Sequence, residues 1–242
     1  MQWFEEWFDT PYYHILYKNH DYKEAEDFLN LLTDYVKLDK NSKIIDLACG
    51  KGRHSVYLNK LGYDVLGLDL SEQSIRFDKQ FETETLKFQV HDMRNKIESE
   101  PVDAVFNLFT SFGYFETEEE DKSVFQSVSD VLKDDGFFVL DFLNAEYVKK
   151  VITPSSSIER ENIVFNIKKH IEGEYIMKEI DFEADDKKHH FFERVKLTSP
   201  EKILKFAYEF GFELIQRWGD YQLNDFDESK SQRCINLFRK IK

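Results

Sequence analysis

A chain of 242 residues with 41% hydrophobic residues, 23 phenylalanines and 33% charged residues has the material for one ordinary domain with additions. Its 33 Lys+Arg against 47 Asp+Glu, a formal net charge of −14, argue against a non-specific grip on nucleic acid, which needs clustered cations. No apolar run approaches a membrane span, residues 1–8 lack a secretory leader's basic end, and two distant cysteines give no disulfide framework, so a cytoplasmic protein is expected.

Residues 1–40 predict an aromatic, helical preface. Trp3, Phe4, Trp7 and Phe8 recur at four-residue spacing, then Pro11-Tyr12-Tyr13-His14 interrupts before Leu16-Tyr17. Residues 22–36 place Ala25, Phe28, Leu29, Leu32 and Val36 on one stripe of a second amphipathic segment. Such helices either cover a sheet edge or close over a ligand.

Residues 43–70, KIIDLACGKGRHSVYLNKLGYDVLGLDL, organise the rest. A short apolar run, Ile44 to Ala48, reads as a buried strand. Gly50 and Gly52 flank Lys51 and let the backbone turn tightly beside a ligand. A helix follows from Arg53, with Gly62 at its C-cap, and a second strand ends in Asp69. Strand, glycine loop, helix and acid-tipped strand is the plan by which α/β sheets bind a nucleoside. A dinucleotide fingerprint wants a third glycine where this chain has Ser55, and Asp46 inside the first strand is costly to bury unless paired.

Arranged as D-x-A-C-G-x-G with Asp69 at the next strand's end, the segment resembles the class I S-adenosylmethionine-dependent methyltransferases of small-molecule type. The resemblance implies an α/β Rossmann-like seven-stranded sheet with helices on both faces. It implies S-adenosyl-L-methionine as cofactor, its methionine end held by Asp46, Ala48, Cys49, Gly50 and Gly52, with Arg53 a candidate partner for its carboxylate. Asp69 takes the ribose hydroxyls, beside Leu70 and the helix-capping Ser71. The third strand, residues 86–90, leads to Asp92 and Met93, which match the adenine contacts. The preface resembles the family's N-terminal lid, with Tyr12 and Tyr17 as candidate cofactor contacts and Tyr13 and His14 as candidate catalytic groups should the acceptor need a base.

The fourth strand, residues 103–109, exits through Asn107-Leu108-Phe109-Thr110 and on to Phe112. It lacks the prolines of the family's N/D-P-P-Y/F motif, which disfavours amide and nucleobase acceptors. Leu108, Phe109 and Phe112 are further candidate cofactor contacts. The acidic run 116–121 contains a capping box, Thr117-x-x-Glu120, and is given no functional role. A turn at Asp134-Asp135-Gly136 opens the fifth strand, residues 137–142.

Residues 155–197 change pattern and predict three antiparallel strands, 163–167, 175–182 and 190–197; the insertion resembles one that in several small-molecule methyltransferases roofs the acceptor site or makes a dimer contact, so a homodimer is one expectation. His189 and His190, adjacent on a strand, point to opposite faces and do not share a metal. Ser199-Pro200 starts a helix, and residues 212–218 and 234–238 close the sheet, the last strand antiparallel. The organisation expected is a helical lid (1–40), a cofactor-binding core (41–154 and 198–242) and the β insertion (155–197). The reaction the resemblance implies is methyl transfer to a small-molecule acceptor, with no nucleic acid, membrane or metal expected. Two other readings fit the same segment: a nicotinamide-dependent oxidoreductase, and a non-catalytic S-adenosylmethionine-binding module.

Overall fold

The structure is a computed structural model and describes residues 3–17 and 22–241. The parts of the predicted lid at residues 1–2 and 18–21 lie outside that range.

Seven strands form one sheet in the order β10-β11-β5-β4-β1-β2-β3. The central five, β1 (Lys43–Leu47), β2 (Asp64–Asp69), β3 (Leu86–Val90), β4 (Val102–Asn107) and β5 (Leu132–Leu143), pair in parallel. Strand β11 (Arg233–Lys240) runs antiparallel to both β5 and β10 (Phe212–Trp218), as expected for the last strand. Strand order reverses between β1 and β4, the place where open α/β sheets gather ligands.

Both faces of this sheet are covered, so its strands read as near-continuous apolar runs. Ile44 points to one face with Phe28, Leu29 and Leu32 of α3 (Tyr22–Val36), Leu58 of α4 (Arg53–Lys60) and Ile75 of α5 (Glu72–Asp78). Ile45 and Leu47 point to the other with Val124, Phe125 and Val128 of α6 (Glu118–Val131) and Ile203 and Phe206 of α8 (Pro200–Glu209). Strand periodicity of two therefore puts Asp46 on the α4 side.

A second sheet has the order β6-β7-β8-β9. Strands β7 (Ile163–Glu172), β8 (Tyr175–Ala184) and β9 (Lys187–Lys196) match the three predicted strands and extend them. The fourth, β6 (Ser155–Arg160), is a serine-rich edge strand whose exposed residues show no apolar alternation. Phe165, Ile167, Ile180 and Phe182 on one face of this sheet pack against Trp7 of α1 (Trp3–Phe8) and Leu16 of α2 (Pro11–Leu16).

One further helix went unread, and one predicted strand starts earlier than expected. Helix α7 (Ala145–Val151) is one short stretch capped by the Asn144 side chain. Strand β5 begins directly after α6: Leu132 pairs with Val102, and residues 133–136 bulge out before Phe137 meets Ala104. The predicted turn is that bulge, with Asp135 at φ 62°. No described helix is long and apolar enough to cross a membrane.

Candidate functional site

After Leu47 the chain turns through Ala48, Gly50 and Gly52 at φ 61°, 56° and 63°. The turn is tied to β2 by Asp69, whose two carboxylate oxygens each accept a backbone N–H at 2.8 Å, from Gly50 and from Ser71. Burial raises the Asp69 pKa, and those amides hold it back. A Cβ on Gly50 would meet no atom within 4 Å, whereas one on Gly52 would strike the Phe88 ring at 2.8 Å and Asp78 Cγ at 3.2 Å. The first glycine faces open space and the second lets the turn close-pack on β3 and α5.

Asp46, 1% exposed, accepts the Ser55 hydroxyl at 2.6 Å. The residue that breaks the dinucleotide fingerprint is the one that supplies this buried acid with its partner. Burial still pushes Asp46 up to about 6. Asp78, also buried, has neither oxygen hydrogen-bonded among the described residues, and burial beside Asp69 and Asp46 pushes it up to about 8, with Lys51 opposing.

A cavity of about 130 Å³ opens at the C-terminal edge of β1 to β4. Ala48, Gly50, Asp69, Leu70, Ser71 and Ser74 form its floor; His91, Asp92 and Met93 flank it after β3. Phe109, Ser111, Tyr114 and Phe115 follow β4, and Phe4, Phe8 and Tyr13 cover it from α1 and α2. Asp92 is held by Arg94, whose other arm reaches Glu120 at 2.6 Å. Burial alone would raise the Asp92 carboxyl, but the hydrogen bonds and charge of Arg94 outweigh it and set Asp92 below the usual carboxylate range.

Of the predicted site residues, Tyr13, Ala48, Gly50, Asp69, Leu70, Ser71, Asp92, Met93 and Phe109 line this cavity. The others stand elsewhere. Phe112 is fully buried, edge-on to Phe125 and Phe142, and is core instead of a cofactor contact; Leu108 is core on the opposite face. Tyr12 donates to Asp185 at 2.6 Å at the β8–β9 turn, drawn there by Phe182 and His189. Tyr17 donates to Glu193 of β9 at 2.6 Å and touches Lys178. Cys49 is buried behind the turn with its thiol pKa raised by desolvation, and Asp46 and Gly52 support the turn from beneath. Arg53 lies over the Phe109 ring at 4.8 Å, next to His54. His14 has its Nε2 buried without a hydrogen-bond partner among the described residues, and desolvation pushes its pKa down to about 4.

Several residues at the site carried no sequence signal of their own. Asp9 accepts Ser71 Oγ at 2.7 Å and Gln73 N at 3.1 Å, fastening the N-terminal strap to α5. Glu193 accepts Trp7 Nε1 at 2.8 Å as well as Tyr17, fastening it to the insertion. Asp141 near the end of β5 accepts Phe109 N at 2.8 Å, Tyr221 Oη at 3.2 Å and Arg233 Nε at 2.8 Å. Arg233 also donates to Thr110 Oγ1 at 2.7 Å. This cluster holds Phe109 and Thr110 at φ 60° and 62°, a left-handed conformation that non-glycine residues adopt only when over-determined. The Phe109 ring is thereby stacked between His54 at 4.9 Å and Tyr221 at 4.7 Å. The aromatic run 112–115 was the available hint for Tyr114 and Phe115, since alternation alone does not say which ring of such a run faces a cavity.

Residues 38–199 match the model of a family described as methyltransferase domain. Over 127 residues the chain is 31% identical to a putative methyltransferase, YqeM, of Bacillus subtilis strain 168, covering 51% of each. The chain spans about half the length of that curated relative. It is 27% identical over 212 residues to a glycine/sarcosine N-methyltransferase of Aphanothece halophytica, covering 82% of this chain and 75% of the relative. Among solved structures, an S-adenosylmethionine-dependent methyltransferase from Clostridium acetobutylicum superimposes with TM-score 0.80 at 18% identity, covering 96% of both chains. An S-adenosylmethionine-bound amino pentose methyltransferase from Micromonospora echinaspora gives TM-score 0.73 at 16% identity, covering 96% of this chain and 97% of the other. At these identities the two structures show a common fold.

Proposed function

The chain belongs to the methyltransferase domain family, and we propose that it carries a methyl group from S-adenosyl-L-methionine to a nitrogen of a small-molecule acceptor. The observation that carries this reading is the Asp69 junction: a buried carboxylate at a strand tip, fixed by the glycine turn, in one cavity with Asp92 and Met93. Its chemistry fits the cofactor. Gly50 leaves an open cradle, Asp69 has lone pairs left for ribose hydroxyls, and Asp92 retains acceptor capacity for an adenine amine beside Met93.

When bound, the sulfonium supplies an electrophilic methyl, its bond to sulfur breaking with the electron pair as the nitrogen lone pair bonds to carbon. The work left to the chain is alignment and exclusion of water. Phe4, Phe8, Tyr13 and Tyr114 provide the apolar cover, and the Asp141 cluster fixes the Phe109 wall. A neutral amine needs no base before it attacks and sheds its proton afterwards, which agrees with a cavity that His14 does not line. The relative named as a glycine/sarcosine N-methyltransferase supports nitrogen as the acceptor atom. In the same reading residues 1–40 are the lid and 155–197 its support, a division favoured by the Glu193 and Asp185 contacts to Trp7, Tyr17 and Tyr12.

Titration calorimetry with S-adenosylmethionine, its demethylated product and reduced nicotinamide dinucleotide tests the cofactor. Binding of the first two alone is the expected result; binding of the dinucleotide instead would transfer the site to an oxidoreductase. Binding without turnover on any amine would leave the non-catalytic module.

A further inference from the structure

Beneath the glycine turn lies a carboxyl group that methyl transfer itself does not use. Asp78, the last residue of α5, is fully buried, and neither of its oxygens has a hydrogen-bond partner among the described residues. It is wedged against the turn: a Cβ on Gly52 would stand 3.2 Å from its Cγ, with the Phe88 ring on the same spot.

The groups whose charge reaches Asp78 come from three places. Asp46 belongs to β1, Asp69 to β2, and Lys51 and the buried Cys49 to the turn. Lys51 rests its Nζ over the Phe77 ring at 5.2 Å, without a hydrogen bond to the acid. From β3 comes the apolar Phe88 ring, whose backbone N–H donates to Glu82 at 3.0 Å. One turn back on α5 stand Ser74 and Ile75, both uncharged. A carboxylate with no hydrogen bond, near two other acids, is too costly to bury as an ion, so the free protein keeps Asp78 protonated. Burial, with Asp69 and Asp46 adding to it and Lys51 opposing, accordingly pushes its pKa up to about 8.

The two ligands of this turn differ in charge. S-adenosylmethionine carries a sulfonium, an ammonium and a carboxylate, and is a net cation. Its demethylated product has lost the sulfonium charge and is a neutral zwitterion. A positive charge seated on the turn favours the ionised form of an acid beneath it, and a low-dielectric interior lets that charge act without direct contact.

We propose that Asp78 is a donor-specificity residue, releasing its proton to solvent when the cationic donor occupies the turn and keeping it when the neutral spent donor does. The buried carboxylate then favours the donor while the sulfonium exists. Methyl transfer removes that charge, the acid takes a proton back, and the advantage over the spent donor is gone. This assignment rests on the methyl-transfer reading above.

The test is calorimetry on the full chain with S-adenosylmethionine and its demethylated product at pH 6, 7.5 and 9, for wild type and Asp78→Asn. The wild-type preference for the donor, relative to that of the variant, is expected to grow about fivefold from pH 6 to pH 9. Both ligands carry an α-amino group that titrates in this range, and the comparison with the variant cancels it. At pH 7.5, in buffers of different ionisation enthalpy, donor binding to wild type is expected to release roughly half a proton more than binding to the variant. Difference infrared spectra of wild type alone give a second readout: the carbonyl stretch of a protonated buried carboxyl is lost on adding the donor and retained on adding the product. Equal proton release by wild type and variant, a preference that moves with pH alike in both, or a carbonyl stretch that the donor leaves in place overturns the Asp78 assignment while cofactor binding stands. Failure of both ligands to bind wild type overturns the methyl-transfer reading and this assignment with it.

Discussion

At the sheet edge, Asp69 is held by two backbone amides at 2.8 Å and the chain around it is shaped by positive φ angles and close packing. Across the same cavity the N-terminal strap is held by side chains: Asp9 to Ser71, Trp7 and Tyr17 to Glu193, Tyr12 to Asp185. The first region is made of backbone and fails only if the fold does. The second hangs on a few carboxylates and rings and is able to release while the sheet stays intact, which is what ligand exchange through a covered cavity demands.

The comparison is broken most severely at Asp69. Asp69→Ala removes the acceptor of both amides and, with it, the proposed ribose contact, and S-adenosylmethionine affinity by calorimetry is expected to fall at least a hundredfold, roughly 2.7 kcal/mol. Second, Gly52→Ala forces a Cβ into the Phe88 ring at φ 63° and is expected to cost roughly 2–3 kcal/mol in urea denaturation. Gly50→Ala, with nothing within 4 Å, is expected to cost about 1 kcal/mol. Equal costs would sink the distinction between cradle and packing contact.

Third, Asp78 sits under the turn with its pKa raised to about 8. Its folded form prefers the proton, so its contribution to stability is fully present below about pH 4, the unfolded value, and is lost as pH rises through about 8. Asp78→Asn is expected to flatten that decline and to stabilise the protein at pH 9 by about 2 kcal/mol. A wild-type melting temperature that does not drop between pH 5 and pH 9 refutes the assignment. Fourth, Glu193→Gln weakens the strap alone: cofactor dissociation measured by stopped flow is expected to quicken about tenfold, with deuterium uptake rising across residues 11–17 and not in β1 or β2. Smallest is His14→Ala, for which turnover should change less than threefold (about 0.7 kcal/mol), because the imidazole does not reach the cavity; a large loss would restore it as a base.

How far the sequence reached follows the same division. Ile44 to Asp69 announced their strands, their turn and the acid because backbone geometry constrains residue type there: glycines at left-handed positions, an apolar run between two covered faces. Asp92 and Met93 were reached through the family resemblance, by their place after the third strand, and both line the cavity. Glu193, Asp9 and Asp141 were invisible because an acid on a strand or a loop has no local mark that distinguishes a solvated charge from the partner of a residue more than sixty positions away. Phe112 failed for a related reason: in Phe109-Thr110-Ser111-Phe112 two left-handed residues break the alternation, so the ring expected outside points in. Glu120 was read as a cap and is one, yet its second oxygen holds Arg94 and through it Asp92, a double use no spacing rule reveals.

The strap has ties at both ends of its covering rings: Asp9 holds it to α5, and Glu193 takes Trp7 and Tyr17. In the methyl-transfer reading the strap has to open to admit the donor and close over it before the acceptor arrives. The kinetic corollary is a compulsory order: donor on first, acceptor second, methylated product off before spent donor. In steady-state work the spent donor would then compete with the donor and be non-competitive toward the acceptor.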